Sequence, residues 1–152
     1  IEKGDFVLMD YGAGYCDYRS DMTRTVVMGE PTQEQLDLYA LVRRTHEECV
    51  AAIHPGVEGN DIFKLSKKII GDAGYGDYYN HGLGHGVGID IHELPNFNRS
   101  KNIIEVGSVI TMEPGVYLPG VGGVRLEDYG VVTENGYEPF TKTPHDLHVI
   151  DC

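Results

Sequence analysis

An α+β fold, with helices packed on one face of a mostly antiparallel sheet, is the architecture that this 152-residue sequence predicts. Three observations predict it. Apolar and β-branched residues at 6–10 and 21–28 flank a Gly/Asp/Tyr/Ser stretch, the pattern of a β-hairpin. Two helix-period segments come next. Three extended segments then follow near 87–93, 108–118 and 124–133.

The first helix opens at Pro31-Thr32-Gln33-Glu34-Gln35, where Thr32 is the N-cap and Gln35, three residues on, closes a capping box. It runs to about Ile53, where His54-Pro55-Gly56 stops it. A second helix follows Asn60 as N-cap, with Ile62, Leu65, Ile69 and Ala73 on one face and Gly74 ending it. The last extended segment ends in the turn Glu134-Asn135-Gly136. Beyond it, the tail from His145 to Cys152 reads as a terminal strand or an unstructured end without chemistry. No repeat, low-complexity tract or linker divides the chain, so 1–152 reads as one domain.

Charge narrows the function classes. Against 24 Asp+Glu there are 12 Lys+Arg, a formal net charge of -12, whereas binding to a nucleic-acid backbone rests on clustered Lys and Arg. Small substrates or cations fit such a balance better. No apolar run approaches the roughly 20 residues of a membrane-spanning helix, and the start IEKGDF has no basic and apolar signal regions. Cys16, Cys49 and Cys152 are odd in number and form no CxxC pair, which points to a reducing, cytoplasmic setting.

Carboxylates set into apolar strands are the informative feature, because a buried unpaired charge costs several kcal/mol. Asp10 ends Phe6-Val7-Leu8-Met9, Asp21 begins the returning strand, Glu113 ends Val109-Ile110-Thr111-Met112, and Glu127 lies within Val124 to Val132. A hairpin centred between Tyr15 and Cys16 sets Asp10 opposite Asp21, and one centred on Gly120 sets Glu113 opposite Glu127. Opposed Cβ atoms lie about 4.5–5.5 Å apart, so like charges repel unless a cation stands between them. Two divalent metals about 3.5–4 Å apart, bridged by carboxylates, account for both pairs. Any one of these carboxylates alone reads as an ordinary strand-end residue; the four together do not.

His81-Gly82-Leu83-Gly84-His85-Gly86-Val87-Gly88-Ile89-Asp90-Ile91-His92-Glu93 adds three imidazoles among glycines that admit close backbone approach. GxGxxG fails at its last position, and HExxH fails because Leu94-Pro95-Asn96 follows His92-Glu93. One imidazole with several carboxylates suits Mn, Co, Fe or Zn. His46, His54, His145 and His148 read as ordinary core or solvated residues.

Asp10-Tyr11-Gly12, Asp21-Met22-Thr23-Arg24-Thr25, His81-Gly82-Leu83-Gly84-His85, His92-Glu93, Met112-Glu113-Pro114-Gly115 and Val124-Arg125-Leu126-Glu127-Asp128 together resemble the signature segments of the pita-bread metallopeptidases. The branch they resemble is that of the Xaa-Pro dipeptidases (prolidases) and aminopeptidase P, over Gly4 to about Phe140. Methionine aminopeptidases share the fold but lack an arginine two residues before the last glutamate, so Arg125 points to the proline-directed branch. The resemblance implies the C-terminal part of a pita-bread fold, a curved sheet with helices on its outer face.

It also implies a site. Asp10 holds one metal, His85 and Glu113 hold the other, and Asp21 and Glu127 bridge both. A hydroxide between the metals, Mn first and Co, Zn or Fe as alternatives, attacks the Xaa-Pro bond of a dipeptide or short peptide. Glu113 shuttles its proton, His92 and His81 stabilise the oxyanion, and Arg125 orients Glu127 or meets the substrate carboxylate. Family members carry a further stretch before the first metal-binding strand, so the chain is expected to be truncated at its N-terminus and inactive alone. Its uncovered sheet edge is expected to pair in a homodimer. A non-catalytic peptide-binding relative is the competing reading, and such relatives have lost metal ligands, whereas all five positions are filled here.

Overall fold

The computed structural model describes residues 1–151. A hairpin of β1 (Phe6–Tyr11) and β4 (Met22–Met28) is capped by the short strands β2 (Gly14–Tyr15) and β3 (Tyr18–Arg19). Helices α1 (Gln33–Ala51) and α2 (Gly59–Asp72) come next. The strands β5 (Gly84–Gly86), β6 (Glu93–Phe97), β7 (Val109–Met112), β8 (Gly115–Leu118), β9 (Gly122–Arg125), β10 (Asp128–Thr133), β11 (Gly136–Pro139) and β12 (His148–Ile150) complete it. One sheet has the order β1-β4-β12 and a second β11-β10-β7-β5-β6, with β8 and β9 forming a separate ribbon. Every pairing is antiparallel except that of β12 with β4. The α+β prediction holds.

Side chains as well as backbone join the two sheets. Thr23 and Glu127 form an isolated antiparallel bridge, with Glu127 N donating to Thr23 O at 3.1 Å. Two residues further along, the Thr25 hydroxyl donates to Arg125 O at 3.0 Å and accepts from Arg125 N at 3.1 Å, taking the place of a backbone partner. These links bend one sheet into the other and bring β4 beside the β9–β10 junction.

Helix α1 begins as expected. Thr32 accepts from Gln35 N and the Gln35 side chain accepts from Thr32 N, so both halves of the capping box form. Its buried face, with Leu38, Val42 and Cys49, covers two apolar clusters. One gathers Ile53, Ile62, Leu83, Phe97, Ile110 and Met112; the other gathers Tyr39, Ile70, Tyr79, Val116, Val124 and Leu126. Each such side chain fully withdrawn from water contributes about 1.5–3 kcal/mol. The helices therefore hold the back of the sheets, and the opposite face is left for polar residues.

Three expectations are corrected. Helix α2 starts at Gly59 with Glu58 as an N-cap that makes no side-chain bond, so Asn60 lies inside it. Gly59 is pressed on β6, where a Cβ would stand 2.7 Å from Asn96 O, and that contact fixes the entry. Residues 87–92 form a loop rather than a strand despite their alternating apolar pattern. Gly88 N donates to Asp90 O at 3.1 Å and Asp90 N to the Glu93 carboxylate at 2.9 Å, which curls the segment and leaves Ile89 and Ile91 exposed.

The third correction is the first hairpin's register. β1 pairs Asp10 with Thr23 and Tyr11 with Met22, two residues from the register that sets Asp10 opposite Asp21. The turn is built on Cys16 and Asp17, both at positive φ (48° and 68°), so its centre lies one residue later than expected. A two-residue shift keeps Asp10 and Asp21 on one face, since side chains alternate with period two. The second hairpin follows the expected register: Gly115 pairs with Arg125 and Met112 with Asp128, which sets Glu113 across from Glu127. Both glutamates stand where an expected continuous strand is broken, between β7 and β8 and between β9 and β10. Cys152, counted with the tail, lies outside the described residues.

Candidate metal centre

Asp21, His85 and Glu127 converge so that one donor atom from each lies within 4.8 Å of the others. His85 Nε2 is 3.7 Å from Asp21 Oδ2 and 3.3 Å from Glu113 Oε1. Asp10 stands at the open rim, half exposed, its carboxylate on Arg125 Nη2. The structure thus brings Asp21, His85, Glu113 and Glu127 together, with Asp10 held at the rim by Arg125.

Close packing of strands sets His85. Gly84 lies so near β7 that a Cβ there would be 2.2 Å from Thr111 O, and His85 N donates to the Thr111 hydroxyl oxygen at 3.0 Å. The ring's Nδ1 lies 2.9 Å from Gly86 O, which leaves Nε2 facing the carboxylates. Glu127 is 2% exposed, and Thr23 Oγ1 donates to its Oε2 at 2.6 Å. Thr111 Oγ1 donates to Glu113 Oε1 at 3.3 Å.

Crowded carboxylates in a dry setting resist ionisation. Burial pushes Glu113 up to about 7, against the Arg125 charge and with Asp21 adding to the rise. Burial, reinforced by Glu113, pushes Glu127 up to about 8. Asp21 is raised by burial and by Asp10. A cation among them would reverse these shifts, and carboxylates with one imidazole are the donor set of Mn, Co, Fe or Zn. The residues present fit a divalent metal.

His81 and His92 border a cleft of about 280 Å³ that His85, Asn96, Asn98 and Glu113 also line. The His92 ring stands 4.4 Å from that of His85. His81 Nε2 lies 3.1 Å from the Tyr117 hydroxyl, which also accepts from Arg125 Nη1 at 3.1 Å. Burial lowers the pKa of His81. Arg125 spreads its fork over Tyr117, the Thr23 hydroxyl at 3.1 Å and Asp10, with Nε 3.9 Å from Glu113 Oε2.

Sequence reasoning passes over Thr23, Thr111 and Tyr117, whose hydrogen bonds orient the acidic and basic groups. Thr23 and Thr111 carry a readable signal, a hydroxyl inside a strand two residues from a carboxylate, Asp21 and Glu113 respectively. His46 and His145, read as ordinary, meet instead at Asp128, on the far side of β10 from this centre: His145 Nε2 is 2.7 Å from Asp128 Oδ2 and His46 Nε2 3.5 Å. His46 could have been noticed as a polar residue on the buried face of α1.

Known proteins share this arrangement of chain. The Xaa-Pro dipeptidase of Pyrococcus furiosus is 45% identical over 148 residues, covering 97% of this chain and 42% of the relative. The solved Xaa-Pro dipeptidase from Bacillus anthracis superposes with a TM-score of 0.95 at 42% identity, over 99% of this chain and 42% of that one. The X-Pro aminopeptidase from Thermotoga maritima also gives 0.95, at 34% identity, over 99% and 43%. The chain thus spans less than half the length of the relatives it matches, and its fold is that of the pita-bread prolidases. The model of metallopeptidase family M24 matches residues 1–134, and this chain belongs to that family.

Proposed function

We propose that the protein containing this chain is a metal-dependent peptidase that hydrolyses the Xaa-Pro bond of dipeptides or short peptides. In this reading Asp10 would hold one divalent cation, His85 and Glu113 a second, and Asp21 and Glu127 would serve both. The observation that carries it is the meeting of Asp21, His85, Glu113 and Glu127 with buried carboxylates that repel one another. Mn is the first expectation for so carboxylate-rich a set, with Co, Zn or Fe as alternatives.

Two bound cations would supply Lewis acidity toward the scissile carbonyl and bring an attacking water toward a neutral pKa. Glu113 takes a proton from that water and gives it to the leaving prolyl nitrogen, a transfer worth about 10²–10⁴-fold in rate. His92, on the cleft wall, donates to the carbonyl oxygen as it gains charge, while His81, its Nδ1 2.7 Å from Gly82 O and its Nε2 on the Tyr117 hydroxyl, lines the cleft beside it. Thr23 and Arg125 hold Glu127 and Asp10 in place. The planar fork of Arg125 also offers itself to a substrate carboxylate.

Likeness to the X-Pro aminopeptidase from Thermotoga maritima supports a second reading within the same chemistry, removal of one residue from longer Xaa-Pro peptides. One assay separates them. The full-length protein, loaded with Mn²⁺, is given Xaa-Pro dipeptides and Xaa-Pro-Xaa tripeptides beside its Glu113→Gln variant. Cleavage of the dipeptides, lost in the variant, is expected. Tripeptide cleavage alone would replace the first reading with the second, and inertness toward both would overturn the two together.

A further inference from the structure

Outside the carboxylate centre, one cluster of metal-ligating side chains has no role in the reaction. His46 on α1 is 2% exposed, and neither of its ring nitrogens has a hydrogen-bond partner. An imidazole buried in that state is destabilising unless something satisfies it. Its Nε2 points at Asp128 Oδ2, 3.5 Å away, and His145 Nε2 reaches the same oxygen at 2.7 Å. The two rings stand 4.8 Å apart at 75°, edge to face, and the three donor atoms lie within 4.8 Å of one another.

Charge and space both suit a cation here. Arg24 Nη2 occupies the other oxygen, Asp128 Oδ1, at 2.7 Å, which locks the carboxylate with Oδ2 turned to the histidines, as partners behind metal ligands do. A cavity of about 230 Å³ opens beside the cluster, lined by Glu47, Val50 and Tyr137 as well as the three ligating residues, with room for solvent to complete the shell. Ligand atoms about 2.0–2.1 Å from a tetrahedral zinc lie about 3.3 Å from each other. The two distances to Asp128 Oδ2 bracket that value, so with respect to this oxygen binding needs a shift of about half an ångström at the partly exposed His145.

We propose that His46, Asp128 and His145 form a mononuclear site for a borderline transition-metal cation such as Zn²⁺, separate from the carboxylate centre. Two imidazoles and one carboxylate are a donor set for Zn, Co, Ni or Cu rather than for Mn or Mg. The three residues come from α1, β10 and the segment before β12, so an ion here fastens the end of the described chain to the helix that covers both cores. Arg24 already ties the same segment through the carbonyls of Thr143 and Pro144.

The test counts metal in the full-length protein after chelator treatment and dialysis against Zn²⁺. The wild type, His145→Ala, the pair Asp21→Asn/Glu127→Gln, and the triple variant are compared, with circular dichroism checking that each is folded. His145→Ala is expected to bind one zinc equivalent fewer than the wild type. The Asp21→Asn/Glu127→Gln protein is expected to keep one zinc that the triple variant loses, which separates this site from the carboxylate centre whatever that centre does. X-ray absorption of that retained zinc should show two imidazole nitrogens. Equal zinc in His145→Ala and the wild type, or zinc without imidazole scattering from two rings, would overturn the proposal.

Discussion

Thr23 and Glu127 meet twice, once through their backbones as an isolated bridge and once through a 2.6 Å hydrogen bond between hydroxyl and carboxylate, both side chains buried. The strand that follows Asp21 therefore aims Glu127. Thr23→Val keeps the shape and removes the donor. Affinity for Mn²⁺, measured by calorimetric titration, is expected to fall about 10–100-fold, the usual cost of losing a partner behind a ligand. Thr23→Ser is expected to restore most of it.

Arg125 acts through geometry as well as charge. Its three nitrogens serve Thr23, Tyr117 and Asp10 at once, which a lysine's single ammonium cannot do. Arg125→Lys in the full-length protein is expected to lower kcat/KM on an Xaa-Pro dipeptide by about 10–100-fold. Near-normal activity in Arg125→Lys would show that the charge alone suffices.

Metal removal should invert the usual response to alkali. Glu113 and Glu127 hold their protons up to about 7 and 8 in the folded chain, whereas an unfolded carboxyl loses its proton near 4.5. The native state then binds more protons than the unfolded one between those limits, so stability falls as pH rises from about 4.5 and levels off once it has passed the folded values. His46, lowered from 6.5 to about 4 by burial, opposes this fall only below about pH 6.5, and Asp128, lowered by hydrogen bonds from His145 and Arg24 that outweigh its burial, acts lower still. The chelator-treated protein is expected to lose Tm as pH rises from about 6.5 to about 8 and to level off above it. Mn²⁺ should restore it most at the upper end, and Glu127→Gln should flatten the decline. A Tm that climbs over this range in the metal-free protein would contradict the account.

Strand packing around His85 leaves no room for a methyl group. Gly84→Ala would put a Cβ 2.2 Å from Thr111 O, so β5 and β7 must part and carry His85 with them. A loss of about 1–3 kcal/mol in urea unfolding is expected, together with weaker metal binding. Gly71→Ala, on α2 with no atom within 4 Å of the added carbon, serves as the control and should be neutral or stabilising.

Much of this centre was legible because its chemistry offends the local pattern. Glu113 and Glu127 stand out in apolar strands, and the turn around Gly120 is compact enough to give their register by counting. The same counting missed the Asp10–Asp21 register because a turn on Cys16 and Asp17 at positive φ carries none of the Gly or Asn that announces one. Alternation misled at 87–92, where the Glu93 carboxylate closes a loop and the apolar residues face water. The His46–Asp128–His145 cluster was out of reach for another reason. Its members are distant in sequence, and only the path of the tail past α1 joins them.

The bridge at Thr23 and Glu127, with the Thr25 hydroxyl beside it, has a mechanical meaning. The candidate ligands divide along it: Asp10 and Asp21 belong to the first hairpin, His85 and Glu113 to the five-stranded sheet and its continuation. Cations shared between the two groups would rivet two plates along a seam that few backbone bonds hold. Stripped of metal, the molecule should loosen there first, with amides of 21–25 and 125–128 exchanging faster than those buried under α1.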